Sequence, residues 1–219
     1  VEQDAKQYIL VRAMRYACPG GLRGGRMTDE YWMRQALHEA GRALGRTWPN
    51  PPVGAVLVKD GRCIASGATQ VPGCNHAERE CLERAGTGAA GSTLYVTLEP
   101  CSHYGRTPPC ADAIISAGVE RVVMAVADPN PLVSGRGEAI LRQAGIEVSV
   151  GCLREEATCL MLPFFRFITT GFPWIILKYA MTLDGRMALD SGDSVWISGE
   201  EARAEVQVLR REVQAVLVG

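Results

Sequence analysis

The sequence carries His76-Ala77-Glu78 and, downstream, Pro100-Cys101 and Cys110. One imidazole and two thiols are ligands that Zn²⁺ accepts, and three protein ligands leave a fourth position for water, as in catalytic zinc sites. Zinc lowers the pKa of a water molecule in that position, so a nucleophile is available near neutral pH. We therefore predict that His76, Cys101 and Cys110 bind a catalytic zinc ion.

Glu78 lies two residues after His76, where its carboxyl group can approach the metal without binding it. A carboxyl group in that place can take a proton from water and pass it to a leaving amine. H-x-E followed by P-C and a further cysteine is the pattern of zinc-dependent nucleobase deaminases. The alternative is a chance match with two cysteines buried as apolar side chains. The order of the ligands and the acid favours the zinc site.

The residues around these motifs predict alternating strands and helices. Residues 94–98 are rich in β-branched and aromatic side chains, which favours a strand, and a helix is predicted to begin after Cys110. Further strands are predicted at 53–58, 63–67, 121–126 and 146–150, with helices at 31–44, 76–85 and 138–144. This alternation predicts an α/β fold, with three α/β/α layers around a mixed sheet.

The run from Thr97 to Cys110, TLEPCSHYGRTPPC, resembles the deaminase half of the bifunctional riboflavin-biosynthesis deaminase/reductase family. Most cytidine-deaminase-like enzymes space the two cysteines as C-x-x-C, whereas the long insertion with Ser-His-x-Gly-Arg-Thr-Pro-Pro marks the riboflavin branch. The resemblance extends from Met27 to Gly219. It implies a cytidine-deaminase-like domain that deaminates 2,5-diamino-6-(5-phosphoribosylamino)pyrimidin-4(3H)-one by zinc-dependent hydrolysis.

The resemblance also implies substrate contacts. Asn50 would hydrogen-bond the pyrimidine, and His103 and Arg106 are candidates for contacts to the phosphate or the ring. The alternatives are a turn-forming role for Asn50 and loop-stabilising roles for the other two. The family has histidine where this chain has Thr69, and proline where it has Asn75. These two departures concern substrate affinity and leave the metal ligands intact.

Residues 171–219 resemble the opening of the family's reductase domain, an α/β domain of the dihydrofolate-reductase-like type. Strands are predicted at 173–178 and 213–218, with a helix at 200–212. Two strands and a helix cannot bury both faces of a sheet. The segment is therefore expected to pack on the deaminase, to pair with another chain, or to remain loose.

The resemblance assigns NADPH contacts to Ala180 and Trp196, and reductase-substrate contacts to Ser194 and Arg210. A dinucleotide needs a crevice at the carboxyl ends of several strands. We therefore expect weak or absent NADPH binding and no reductase activity from this chain.

Four segments are predicted along the chain. Residues 1–26 form a flexible N-terminal extension, because they include a glycine- and arginine-rich run and no apolar signal segment. Residues 27–151 form the zinc-dependent deaminase domain. Residues 152–170 form an amphipathic connecting helix, and residues 171–219 form the reductase fragment.

Composition narrows the choice of partners. The chain has 219 residues, 47% of them apolar, and a formal net charge of −1, which argues against a nucleic-acid surface built on bulk positive charge. The sequence contains no run of about eighteen consecutive apolar residues, so no membrane helix is predicted. Eight cysteines in a chain of this size are expected to be metal ligands and reduced thiols in a cytoplasmic protein. The expected partner is a small phosphoribosylaminopyrimidine, and a homo-oligomer is possible.

Two other functions stay open at the level of sequence. One is deamination of another free base or nucleoside. The other is a non-catalytic zinc-bearing partner of a separate reductase. The presence of Glu78 argues against the second, because a structural zinc site does not need that acid.

Overall fold

The computed structural model describes residues 27–104, 108–130 and 134–218. The chain divides into two compact units, with the boundary between Pro173 and Trp174. The predicted extension at residues 1–26 and the candidate residue Arg106 lie outside the described residues.

A five-stranded mixed sheet forms the centre of the first unit, in the order β2-β1-β3-β4-β5. The strands are β1 (Gly54–Lys59), β2 (Arg62–Ala68), β3 (Thr93–Leu98), β4 (Arg121–Val126) and β5 (Glu147–Val150). β1 pairs antiparallel with both β2 and β3, whereas β3, β4 and β5 run parallel. The predicted mixed sheet is confirmed, and the predicted strand ends agree with the structure to within about one residue.

Helices cover both faces of this sheet. They are α1 (Asp29–Ala43), α2 (Ala77–Ala85), α3 (Cys110–Ser116), α4 (Arg136–Gln143) and α5 (Arg154–Thr170). Helices α1 and α5 contact each other on one face, and α2, α3 and α4 contact one another in sequence on the other. The three layers predicted from the alternation are therefore confirmed. Helix α5, predicted as a connecting helix, also buries Leu160, Met161 and Phe165 in the core of this unit.

Two glycines set how closely helices approach the sheet. A Cβ atom at Gly54 of β1 would lie 1.9 Å from the carbonyl oxygen of Ala36 in α1. A Cβ atom at Gly67 of β2 would lie 2.7 Å from the carbonyl oxygen of Ala77 in α2. Real Cβ atoms do not approach backbone oxygens so closely, so glycine permits the contact at both positions. The contact at Gly67 places the first turn of α2 directly over the sheet.

Three loops meet at one edge of the sheet. Strands β3 and β4 are parallel, so their carboxyl ends lie together, and β1 begins at the same edge because it runs antiparallel to β3. The backbone N–H of Gly54 donates to the buried hydroxyl of Thr97, at 3.1 Å, across this edge. The carboxyl ends of parallel strands are the usual place for a site in an α/β fold.

The described part of the second unit, residues 174–218, contains one helix, α6 (Glu200–Glu212), and no strand. The strands predicted at 173–178 and 213–218 are therefore wrong for this chain. A β-strand exists only when its backbone groups pair with a neighbouring strand, and the described residues supply no partner ladder here. The apolar side chains that the strands would have buried are exposed, among them Ile175, Leu177 and Leu217.

We predict that Gly54→Ala destabilises the first unit strongly, because the new methyl group would meet the backbone of α1. Overpacking a core costs about 1–3 kcal/mol. The cost here should reach or exceed the upper end of that range, because the backbone of α1 cannot rotate away from the new methyl group. Gly41→Ala is the matched control, since Gly41 lies inside α1 with open space around its Cα. Alanine there should raise stability by about 0.5–1 kcal/mol. Thermal and urea unfolding of both variants will measure the difference. Equal stability of the two variants would contradict the close contact.

Candidate metal centre

The first turn of α2 presents the histidine and the acid. His76 is the N-cap residue of α2, with extended backbone, and Glu78 lies within the first turn. The close approach at Gly67 presses this turn against β2. Glu78 is consequently buried, with 3% of its surface exposed, although it carries a carboxyl group.

The two cysteines lie on either side of a loop that leaves the sheet edge. Cys101 follows the carboxyl end of β3, and Cys110 is the first residue of α3. The backbone N–H of Ala111 donates to the carbonyl oxygen of Cys101 at 3.1 Å, which closes the loop. The backbone N–H of Cys110 donates to the sulfur of Cys101 at 3.3 Å. This hydrogen bond favours a thiolate at Cys101.

The three predicted ligands form one cluster. The Nδ1 atom of His76 lies 3.6 Å from Sγ of Cys101 and 3.5 Å from Sγ of Cys110. All three donor atoms lie within 4.8 Å of one another. Zinc bonds of about 2.3 Å to sulfur and about 2.0 Å to nitrogen, at a tetrahedral angle, separate the two donor atoms by about 3.5 Å. The donor set and its spacing therefore fit a zinc ion.

The surroundings shift the pKa values of these ligands. Hydrogen bonding from the Cys110 thiol, with a further contribution from His76, lowers the pKa of Cys101 in spite of its burial. The contact with Cys101 raises the pKa of His76. The same pairing with Cys101, together with burial, raises the pKa of Cys110. Zinc binds the deprotonated forms of all three side chains, so its binding would release protons.

Glu78 is an acid held beside the cluster, with one of its two carboxylate oxygens unpartnered in the described residues. Burial, and then the negative charge of Cys101, raise the pKa of Glu78 to about 7. Its Oε2 atom has no hydrogen-bond partner among the residues that the structure describes. A carboxyl group with a pKa near the working pH can both accept and release a proton. This arrangement suits proton transfer at the metal rather than metal binding.

The candidate substrate residues share the edge of the sheet with the metal ligands. Asn50 lies in the loop that leads into β1, where its backbone N–H donates to the carbonyl of Thr47 at 2.8 Å. The buried hydroxyl of Thr47 donates to the carbonyl of Asn50 at 3.0 Å. His103 is exposed in the cysteine loop. The roles of Asn50 and His103 in substrate binding stay predictions.

The two residues that depart from the family pattern have structural partners. Thr69 is buried, and its hydroxyl accepts from the backbone N–H of Val53 at 3.2 Å. The side chain of Asn75 donates to the carboxylate of Glu83 at 2.7 Å. Both side chains therefore bond to groups of the chain itself.

The candidate reductase residues lie in the second unit. Trp196 is 71% exposed, and the guanidinium carbon of Arg203 lies 4.2 Å from the centre of its ring. Ser194 is also exposed, and Arg210 lies in the last turn of α6. Ala180 lies in a segment without regular secondary structure. The assignment of these residues to NADPH and to a reductase substrate stays a prediction.

Two further acids, Glu99 and Asp128, lie at the same edge, and neither is among the site residues predicted from the sequence. Glu99 is buried just after β3, and its carboxylate accepts hydrogen bonds from backbone N–H groups of the loop after β4 and the start of α4. Asp128 follows β4, and burial raises the pKa of its carboxyl group. An acid at the end of an apolar strand is the signal that could have drawn attention to Glu99.

Comparison with known proteins assigns both parts of the chain to families. Residues 26–126 match the model of the cytidine and deoxycytidylate deaminase zinc-binding region. Residues 173–219 match the model of the RibD C-terminal domain.

Curated relatives and solved structures agree with these matches. The riboflavin biosynthesis protein RibD of Aquifex aeolicus is 53% identical over 194 residues, which are 89% of this chain and 54% of that protein. A structure of Acinetobacter baumannii RibD has a TM-score of 0.78 at 51% identity, over 84% of this chain and 51% of the other. A structure from Thermotoga maritima has a TM-score of 0.79 at 48% identity, over 83% of this chain and 52% of the other. That protein is described as a diaminohydroxyphosphoribosylaminopyrimidine deaminase/5-amino-6-(5-phosphoribosylamino)uracil reductase.

The fold and the His/Cys/Cys cluster define a zinc-binding, cytidine-deaminase-like protein. More narrowly, the chain is similar to RibD riboflavin biosynthesis proteins over most of its own length. The resemblance predicted from the cysteine loop is thereby confirmed. The chain spans about half the length of the curated relatives it matches.

Two findings concern the setting of the protein. None of the helices in the described ranges has the length and apolar character needed to cross a membrane. The seven cysteines in those ranges form no disulfide with one another, and their reduced state stays a prediction. The cytoplasmic location itself stays a prediction.

We predict that Cys101→Ala abolishes stable zinc binding, because the variant lacks one of three protein donors. Cys81→Ala is the matched control, since Cys81 is a buried thiol on α2 outside the donor cluster. Protein purified without chelator should contain about one zinc ion per chain in the parent and in Cys81→Ala. Metal analysis after dialysis will compare the three proteins. Full zinc content in Cys101→Ala would refute the ligand assignment.

Proposed function

We propose that the first unit catalyses the hydrolytic deamination of 2,5-diamino-6-(5-phosphoribosylamino)pyrimidin-4(3H)-one, with zinc held by His76, Cys101 and Cys110. The observation that carries the proposal is the buried carboxyl group of Glu78 beside the three donors. Three protein donors leave a position for water, and an acid at that place can move its proton. A purely structural zinc site has no use for such an acid.

Bound zinc would supply an activated water molecule near neutral pH. Glu78 would take a proton from this water and deliver it to the 2-amino nitrogen of the ring. A carbon–oxygen bond forms, the carbon–nitrogen bond breaks, and ammonia leaves. The raised pKa of Glu78, about 7, suits a group that serves as base and then as acid in one turnover. Its burial keeps bulk water away from the transferred proton.

The choice of substrate rests on the similarity to RibD proteins and on the cysteine loop. The Thermotoga maritima relative is described as a deaminase and reductase of phosphoribosylaminopyrimidines. Asn50 and His103 lie at the sheet edge that holds the metal ligands, and they are our candidates for substrate contacts, together with Arg106. Ammonia release from this pyrimidine, measured with and without zinc, tests the proposal directly. Release from guanine or cytosine compounds alone would favour the other class of substrate.

We predict that Glu78→Gln keeps zinc and the fold but loses deamination. Glutamine has nearly the same shape and cannot carry the proton. Because the acid serves more than one transfer, turnover should fall by about 10⁴-fold, the upper end for general acid–base groups. Ammonia release and zinc content should be measured on the same preparation.

Glu80→Gln is the matched control on the same helix. Glu80 forms a partly exposed ion pair with Arg84, and surface pairs of this kind contribute little to stability. This variant should therefore turn over at the parental rate. Near-parental turnover in Glu78→Gln would refute the assignment of Glu78 as the group that transfers the proton.

We also propose that the 219-residue chain alone does not perform the reductase step of the family. A dinucleotide binds in a crevice at the carboxyl ends of several strands, whereas residues 174–218 include no strand. Trp196, a candidate NADPH contact, is largely exposed and stacks with Arg203. The exposed apolar side chains of this unit are expected to favour self-association and proteolysis.

We predict that NADPH absorbance stays constant when the deaminated product is mixed with this chain, and that NADPH binds weakly or not at all. Fluorescence titration with NADPH and an absorbance assay with product will check both statements. Parallel measurement of ammonia release shows that the preparation is active. Product-dependent oxidation of NADPH by this chain would contradict the prediction.

A further inference from the structure

Glu99 lies two residues before Cys101, and neither metal binding nor proton transfer accounts for it. Its side chain is buried, with 4% of the residue exposed. The Oε2 atom accepts hydrogen bonds from the backbone N–H groups of Asp128, at 3.1 Å, and Gly135, at 3.0 Å. The Oε1 atom accepts from those of Gly137, at 2.9 Å, and Glu138, at 3.3 Å.

These four donors come from a different part of the chain. They belong to the segment between β4 and the first turn of α4, about thirty to forty residues beyond Glu99. A buried carboxylate is costly unless hydrogen bonds satisfy it. Here four backbone N–H groups of the described residues satisfy both oxygens, and the positive end of the α4 dipole adds to their effect. Glu99 therefore joins the loop after β3 to the loop after β4.

A second contact joins the same two loops. A Cβ atom at Gly137 would lie 2.2 Å from the carbonyl oxygen of Pro100 and 3.2 Å from Oε1 of Glu99. Helix α4 thus begins directly against the peptide unit that precedes Cys101. The backbone N–H of Glu99 also donates to the carbonyl of Val126, at 2.9 Å. The backbone just before Cys101 is consequently held from two sides.

We propose that Glu99 is a positioning residue for the metal centre, whose carboxylate fixes the Pro100-Cys101 backbone so that the Cys101 sulfur meets His76 and Cys110. The inference rests on the proposed zinc site. The positioning role requires a carboxylate at Glu99, because four N–H groups converge on its two oxygens. Glutamine has nearly the same shape, but its NH₂ group would face two of these donors and leave them unsatisfied.

The test compares Glu99→Gln with Asp29→Asn. Asp29 also carries a carboxylate with several partners, since it accepts from Arg121 and from the hydroxyl of Tyr95. Arg121 begins β4, at the end opposite the metal centre. Asp29→Asn therefore lowers stability through lost hydrogen bonds without touching the cysteine loop, and it controls for a purely structural effect.

Two readouts separate positioning from stability. The first is the rate of zinc release to a chromogenic chelator, well below the melting temperature of either variant. The second is the visible absorption of the Co²⁺-loaded proteins, which reports the geometry of the donors. We expect Glu99→Gln to release zinc about 10–100-fold faster, as for other residues that support metal ligands, and to change the Co²⁺ spectrum. Asp29→Asn should match the parent in both.

Parental zinc release and a parental Co²⁺ spectrum in Glu99→Gln would overturn the proposal, as would equal changes in both variants. If Glu99→Gln does not fold, Glu99→Asp replaces it, because the shorter side chain keeps the carboxylate but cannot reach all four N–H groups, and the same two changes are then expected. Neither readout depends on turnover. A parent chain that binds zinc without deaminating the pyrimidine would refute the proposed function and leave this inference testable.

Discussion

A tetrahedral metal accepts nitrogen and sulfur donors only when these atoms lie about 3.5 Å apart, and the first unit meets this requirement with three separate segments. His76 comes from the start of α2, Cys101 from the end of β3, and Cys110 from the start of α3. The observed separations are 3.6 Å and 3.5 Å. A shift of about an ångström in any one segment would break the set. The packing of α2 on β2 at Gly67, and of α4 against Pro100, limits such shifts.

The same packing creates the electrostatics of the site. Glu78 is buried because the first turn of α2 lies flat on the sheet, and burial raises its pKa to about 7. The pKa of Cys101 is lowered because hydrogen bonds from Cys110 and the neighbouring His76 favour its thiolate. The pKa values of two neighbouring groups, Glu78 and Cys101, are thus shifted in opposite directions. Such a pair can hold a metal and move a proton at the same pH.

The second unit shows what pairing contributes to a strand. Residues 173–178 and 213–218 have the composition of strands, yet the described residues give them no ladder partner. Helix α6 forms none the less, because a helix satisfies its hydrogen bonds within one segment. Its boundaries agree with those predicted from sequence. The helix forms and the strands do not, because a helix finds its hydrogen-bond partners within its own segment and a strand needs a neighbouring strand.

The sequence by itself determined the alternation of elements, the type of each ligand and the family, because periodicity, ligand chemistry and the TLEPC…C loop are local features. It did not show that Glu99 accepts hydrogen bonds from the loop after β4 and the start of α4, since the four donors are backbone groups that carry no signature in a sequence. It also did not show that Thr69 turns its hydroxyl to Val53. Only tertiary structure decided these features, because it brings together groups far apart in the chain and removes water from around them.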